Sequence, residues 1–253
     1  MLGSPIAHSR SPQLHLAAYR ALGLDGWTYE RIECTAADLP RLVGGFGPEW
    51  VGVSVTMPGK FAALRFADER TPRAELVGSA NTLVRTSAGW RADNTDIDGV
   101  TGALGEVSGR AAVIGSGGTA PAAVVGLAEL GVQDVSIVAR NRDKAKPLLE
   151  LGSRLGVDIR WTELGTPLAG VDVVVSTLPA EVAAQHVTTL SATPLLLDAI
   201  YDPWPTQLAA AVEAAGGRVI SGLQMLLNQA YAQVEQFTGL PAPKAAMRAA
   251  VGL

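Results

Sequence analysis

Cysteine is nearly absent. Cys34 stands alone in 253 residues, so neither an intrachain disulfide nor a cysteine-built metal site can form. Histidine is almost as scarce: His8 and His15, if helical, would sit about 10 Å apart along the axis, too far to share an ion. There is no His-Glu-x-x-His and no dense carboxylate cluster, so no metal is expected. Without a Gly-x-Ser-x-Gly turn, serine-nucleophile chemistry lacks support. Basic residues are not in excess. Twenty Lys and Arg face 24 Asp and Glu, a net charge of −4, which argues against a nucleic-acid partner. No apolar run approaches the ~18 residues of a membrane span and no signal-peptide pattern is present, so a soluble, cytoplasmic protein with no membrane partner is expected. Aromatics make up only 5%, while hydrophobic residues reach 48% and glycines number 28. That balance fits an α/β protein better than an all-β one. At roughly 150 residues per domain, the chain holds one large domain or two small ones.

Local signals divide the chain. Ser11-Pro12 reads as a helix start, with Ser11 as N-cap and Pro12 in the first helical position; Leu14, Ala18, Ala21 and Leu22 carry the helical spacing up to Gly23. Strands are expected over 28–33 and 50–56. Thr71-Pro72 opens a helix that Gly78 closes, and 81–85 with 90–93 form a hairpin around a Thr-Ser-Ala-Gly turn. From Asp98 onward, short apolar strands at 111–114, 135–139, 172–177, 195–198 and 218–220 alternate with helices, the pattern of a parallel sheet with right-handed crossovers. From Leu223 the chain reads as one or two helices broken near Pro241 and Pro243. The expected domains are 1–95 and 96–222, and the last helices could pack on either.

Gly115-Ser116-Gly117-Gly118-Thr119-Ala120 follows a strand and precedes a helix. In that context Gly115 permits the tight turn, Gly117 lets a pyrophosphate approach the backbone, and Ala120 lets the helix lie close to the sheet. The motif predicts a dinucleotide; a structural glycine turn is the alternative. At the end of the next strand, Arg140 and Arg142 stand where an NAD site would carry an acid, which favours NADP through a bidentate hold on its 2′-phosphate. A solvated basic turn remains the competing reading.

Thr56 and Lys60 lie just past a buried strand, where open α/β sheets place ligands. The chain has four lysines, at 60, 144, 146 and 244, and sixteen arginines among its 20 basic residues. A single lysine in the first 143 positions suggests a need that arginine cannot meet, such as proton exchange, against the alternative of a solvated side chain. Asp96, in Asp93-Asn94-Thr95-Asp96, could pair with it or could serve as an Asx turn or cap. Ser9 and Ser11 at a helix start suit a carboxylate, though Ser11 could simply cap.

These motifs together resemble the shikimate dehydrogenase family, nearly end to end. Gly3-Ser4-Pro5-Ile6-x-His8-Ser9-x-Ser11-Pro12 is similar to its substrate motif, Val53 to Lys60 to its strand-to-lysine segment, Gly78 to Thr82 to its ligand-asparagine segment, and Asn94-Thr95-Asp96 to its aspartate segment. Asp198-x-x-Tyr201-x-Pro203 and Gly222-Leu223-x-Met225-Leu226-x-x-Gln229 resemble its later motifs. Two departures stand out: Leu16 where the family often has Asn, and Ala139-Arg140-Asn141 where Asn-Arg-Thr is common.

The resemblance implies a two-domain α/β fold, with an N-terminal substrate domain and a Rossmann-type NADP-binding domain. The C-terminal helices (223–253) would return to the first domain and leave the site in the cleft. It implies reversible reduction of 3-dehydroshikimate to shikimate in the aromatic amino-acid (chorismate) pathway. Lys60 and Asp96 would be catalytic, and Ser9, Ser11, Thr56, Asn81, Tyr201 and Gln229 would bind substrate. The cofactor would meet Gly115, Ser116, Gly117, Gly118, Thr119, Ala120, Arg140, Arg142, Gly222 and Met225. The partner is a small molecule and the chain a monomer or homodimer. A quinate/shikimate dehydrogenase using NAD, or a dinucleotide-binding regulatory paralogue without turnover, are the other readings.

Overall fold

The structure, a computed structural model, describes residues 1–253 and divides into two units: Met1–Asp96 with Leu226–Leu253, and Ile97–Met225. Along the first stretch come β1 (Leu2–Gly3), α1 (Ser11–Ala21), β2 (Ile32–Glu33), α2 (Leu39–Gly44), β3 (Gly52–Ser54), α3 (Lys60–Phe66), β4 (Glu69–Arg70), α4 (Pro72–Val77), β5 (Thr82–Thr86) and β6 (Gly89–Asp93). β1 runs parallel to β2, and Leu2 bridges Val55. The other four strands form a mixed sheet in the order β3-β5-β6-β4.

Strand alternation gives that sheet two unlike faces. Val53, Leu83 and Ala92 lie in register and join Leu39, Val43 and Ala63 in an apolar core. One residue along, Ser54, Thr82 and Asp93 form a polar row, all three buried. Local chemistry fixes the boundaries: the Thr71 hydroxyl caps α4 by accepting from Ala74 N–H, and Gly78 ends it in the left-handed region.

The second unit holds most of α5 (Asp96–Leu104), then β7 (Arg110–Ile114), α6 (Ala120–Glu129), β8 (Asp134–Ala139), α7 (Arg142–Leu155), β9 (Asp158–Glu163), β10 (Val173–Ser176), α8 (Ala180–Ala184), α9 (Val187–Leu190), β11 (Leu195–Asp198), α10 (Gln207–Ala214) and β12 (Arg218–Ser221). All six strands are parallel, in the order β12-β11-β10-β7-β8-β9. The order reverses at β7, the doubly wound arrangement that opens a ligand crevice at the strands' C-terminal ends. Unbroken buried runs such as Val173–Ser176 and Leu195–Asp198 are what a sheet covered on both faces requires. The chain is thus a two-domain α/β protein with a Rossmann-type sheet. α11 (Gly222–Thr238) and α12 (Lys244–Ala250) follow, and α12 packs on α1. No helix is long and apolar enough to cross a membrane.

Two expectations need correction, and one strand was not expected at all. Ser11 is the first helical residue rather than the N-cap; Arg10 holds the cap position without a side-chain bond, and the Ser9 hydroxyl accepts Ser11 N–H at 3.3 Å. The strand expected over 28–33 shrinks to Ile32–Glu33, because its partner β1 offers only two residues to pair with. The edge strand β9 carried no signal strong enough to predict, since Asp158, Arg160 and Glu163 interrupt its apolar residues.

Candidate active site

Lys60 opens α3 after the turn that follows β3, and Asp96 follows β6 at the first position of α5. Their side chains meet: Lys60 Nζ lies 2.5 Å from Asp96 Oδ2, with side-chain exposures of only 12% and 9%. Asp96 is the first residue of α5, and its backbone N–H is held by Asn94 Oδ1 at 3.1 Å. Its second oxygen, Oδ1, accepts from Asn81 Nδ2 at 2.9 Å. Asn81 Nδ2 also reaches Thr95 Oγ1 at 2.9 Å and Gln229 Oε1 at 3.2 Å. A cation, a carboxylate and two carboxamides thus converge from α3, α5, the start of β5 and α11. Of the sequence-predicted residues, these four are brought together by direct bonds.

Ser9 and Ser11 are both buried at the entry to α1. The Ser9 carbonyl accepts from Arg31, and its hydroxyl touches the Met1 sulfur. The Ser11 hydroxyl bonds to the Tyr29 phenol, whose pKa burial pushes far up, so that it stays protonated. Tyr29 donates to Ser54 Oγ at 2.6 Å, and Ser54 donates to Gln233 Oε1 at 2.8 Å. Thr56 is half-buried; its N–H donates to the Leu2 carbonyl at 2.9 Å. Tyr29, Ser54, Thr82 and Gln233 were not singled out from the sequence. The one available signal was spacing: Gln229 and Gln233 stand four apart, on one face of a helix.

In the second unit, the turn between β7 and α6 fits a dinucleotide pyrophosphate. Gly115 adopts φ +111°, and a Cβ there would fall 2.5 Å from Thr177 Oγ1. A Cβ at Gly117 would meet nothing within 4 Å, so this stretch of backbone is open to approach. Ser116, Gly118 and Thr119 complete the turn, no side chain caps α6, and Ala120 is fully buried at its first position. Negative charge is favoured at such a helix start. Arg140 is exposed immediately after β8, and Arg142 lies over the Trp161 ring at 5.9 Å. Asn141 is committed elsewhere: its side chain caps α7 by accepting from Asp143 and Lys144 N–H.

Tyr201 lies in the loop after β11, behind buried Asp198. Burial raises the Asp198 pKa, against the opposing bonds from the Thr206 hydroxyl and Ile200 N–H. Gly222 begins α11 where only glycine fits, since a Cβ would fall 2.2 Å from the Ala199 carbonyl oxygen. Met225 is buried one turn along.

Comparison with known proteins identifies the family. Residues 1–83 match the family model of the shikimate dehydrogenase substrate binding domain, and residues 222–251 match that of the shikimate 5′-dehydrogenase C-terminal domain. A shikimate dehydrogenase (NADP(+)) of Methylobacterium radiotolerans is 36% identical over 260 residues, covering 96% of this chain and 92% of the relative. The crystal structure of Mycobacterium tuberculosis shikimate dehydrogenase is 76% identical with a TM-score of 0.95, covering 99% of this chain and 96% of that one. A Thermus thermophilus shikimate 5-dehydrogenase, solved in complex with NADP(H) and shikimate, is 28% identical with a TM-score of 0.84, covering 99% of this chain and 97% of that one. With two thirds and more of each full-length relative aligned at these identities, the chain belongs to the shikimate dehydrogenase family.

Proposed function

We propose that this chain catalyses the reversible, NADP-dependent reduction of 3-dehydroshikimate to shikimate, a step in aromatic amino-acid biosynthesis, in the cytoplasm and as a monomer or homodimer. The observation that carries the reading is the buried 2.5 Å contact of Lys60 with Asp96, tied to the Asn81 amide. Bound NADPH supplies the hydride equivalent that the ketone carbon needs. The Lys60 ammonium donates a hydrogen bond to the oxygen that gains charge, in a setting where little water screens it. Lys60 and Asp96 together hold the proton that the oxygen takes up, and solvent restores it. General acid–base help of this kind is worth about 10²–10⁴ in rate.

The Ser9 and Ser11 hydroxyls take the substrate carboxylate, while Thr56, Asn81, Tyr201 and Gln229 fix the ring. The backbone from Gly115 to Ala120 would hold the pyrophosphate, and Gly222 and Met225 would face the nicotinamide half of the cofactor. Arg140 and Arg142 take the 2′-phosphate, as a guanidinium can do with two bonds.

Steady-state assays with shikimate and NADP, then with quinate and NAD, test the reading. Turnover with the first pair well above the second is expected; the reverse preference overturns it. Lys60→Ala should cut kcat by about 10²-fold or more with little change in KM. Near-normal kcat would remove Lys60 from the chemistry.

A further inference from the structure

The polar row of the first sheet and the last long helix form a seam that leads to the Lys60–Asp96 pair. Gln229, Gln233 and Gln236 recur at helical spacing along α11. Gln236 Nε2 bonds Asp93 Oδ2 at 2.6 Å, and Gln233 reaches both Ser54 and Thr82. Gln233 is 1% exposed and every polar atom of its amide is used. Its Oε1 accepts from Ser54, and its Nε2 donates to the Asn81 carbonyl at 3.2 Å and to Thr82 Oγ1 at 2.9 Å. A backbone carbonyl can only accept, so the Asn81 carbonyl fixes which end of the Gln233 amide faces it.

That fixed end has a consequence one bond further on. The Thr82 hydroxyl has a single hydrogen. Because Thr82 Oγ1 accepts from Gln233, that hydrogen goes to Asn81 Oδ1, 2.8 Å away. Asn81 Oδ1 then holds two strong donors, the Thr82 hydroxyl and Thr95 N–H at 2.8 Å. With its oxygen clamped, the Asn81 carboxamide presents its N–H₂ to Asp96 Oδ1. From Tyr29 through Ser54, Gln233, Thr82 and Asn81 to Asp96, every bond donates in the same direction. Lys60 meets the carboxylate from the other side.

We infer that Gln233 is a positioning residue for the Lys60–Asp96 pair: acting through the Thr82 hydroxyl, it supplies the second of two donors on Asn81 Oδ1, beside Thr95 N–H, and so steadies the Asn81 carboxamide with its N–H on the Asp96 carboxylate. This rests on the function proposed above. Gln233 touches no reacting atom. Its effect is to hold Asp96 at the angle from which Oδ2 meets Lys60, and without it the Thr82 hydrogen is free to turn away.

The test uses full-length protein with selectively ¹⁵N-labelled asparagine, the Asn81 side-chain signal being assigned by its loss in Asn81→Asp. In the ligand-free wild type this N–H₂ pair should exchange slowly with solvent. Gln233→Met and Thr82→Val should speed the exchange and lower kcat, each by about tenfold, the scale of one lost buried hydrogen bond. KM for NADP should not move. Thr82→Ser keeps the hydroxyl and should recover most of both losses. Unchanged Asn81 exchange and kcat in Gln233→Met overturns the inference, as does a Thr82→Ser variant impaired as badly as Thr82→Val, which would reduce the seam to packing. Should Gln233→Met fail to fold, the Thr82 pair decides alone. Absence of shikimate turnover in the wild type would sink the proposed function instead, while the exchange comparison still reads the seam.

Discussion

His15 is a histidine that stays neutral where others titrate. Its ring is fully buried, stacked on Tyr29 at 4.0 Å and 14°, and Nδ1 donates to the Ser11 carbonyl at 3.0 Å while Nε2 has no partner. Burial dominates and lowers its pKa to about 3 from 6.5, although the Ser11 bond works the other way. Between those values the unfolded chain holds a proton that the folded protein does not. This group's contribution is therefore fully present above 6.5 and is lost as pH falls toward 3. Between about pH 6.5 and about pH 4.5, this one residue accounts for roughly 2–3 kcal/mol of lost stability. His15→Leu should flatten that slope in urea titrations run across the range. The difference between the two slopes reads the His15 ring. Equal slopes would mean that the ring titrates normally.

At the scale of elements, Asp93 ties α4 and α11 to the end of β6. Burial alone would raise its pKa, but bonds from Arg73, Thr71 and Gln236 outweigh that and hold it near 2. Arg73 meets both of its oxygens, while 32% of the Arg73 side chain remains in water, which screens the pair. Asp93→Asn removes the charge that Arg73, Thr71 and Gln236 hold in place. A loss of about 1–3 kcal/mol in unfolding free energy at neutral pH is expected, the scale of the charge-assisted hydrogen bonds a buried carboxylate accepts. A change under about 0.5 kcal/mol would show that Asp93 anchors nothing. Because the folded pKa lies below the unfolded 3.8, this anchor is intact above 3.8 and is lost as pH falls toward 2. Elements like α4 were legible in the sequence, because Thr71 and Gly78 state a local backbone requirement that any surroundings would respect. The Gly115 turn and the hairpin after Asn81 were legible for the same reason. Lys60 and Asp96 were legible as residue types, but their contact was not. The Gln233 and Gln236 side chains were opaque: helical spacing alone does not say what a glutamine faces, and only the polar row of a sheet distant in sequence makes them buried partners. β9 was lost for a related reason, since an edge strand tolerates charge that a central strand excludes.

The whole molecule is asymmetric in how its two units are written along the chain. Ile97–Met225 is one continuous stretch, whereas the other unit needs Leu226–Leu253 to complete Met1–Asp96. That last stretch buries Leu227, Tyr231, Val234, Phe237, Met247 and Val251. At about 1.5–3 kcal/mol per large apolar side chain, their burial is worth on the order of 10 kcal/mol or more. The net stability of a whole domain is about 5–15 kcal/mol. A fragment of residues 1–96 would also leave Ser54, Thr82 and Asp93 without their bonds to α11. Such a fragment should therefore stay unfolded, and adding the 226–253 segment through a flexible linker should restore a cooperative transition. The 97–225 fragment has its full six-stranded sheet and should fold alone. It should also bind adenosine 2′,5′-bisphosphate more tightly than adenosine 5′-phosphate, with Arg140→Ala erasing most of the difference. Amide dispersion in NMR spectra and calorimetric titration of the fragments read both outcomes. A folded 1–96 would show that the terminal helices are an ornament of the first unit rather than part of its core, and equal affinities for the two nucleotides would remove the 2′-phosphate from the role of Arg140.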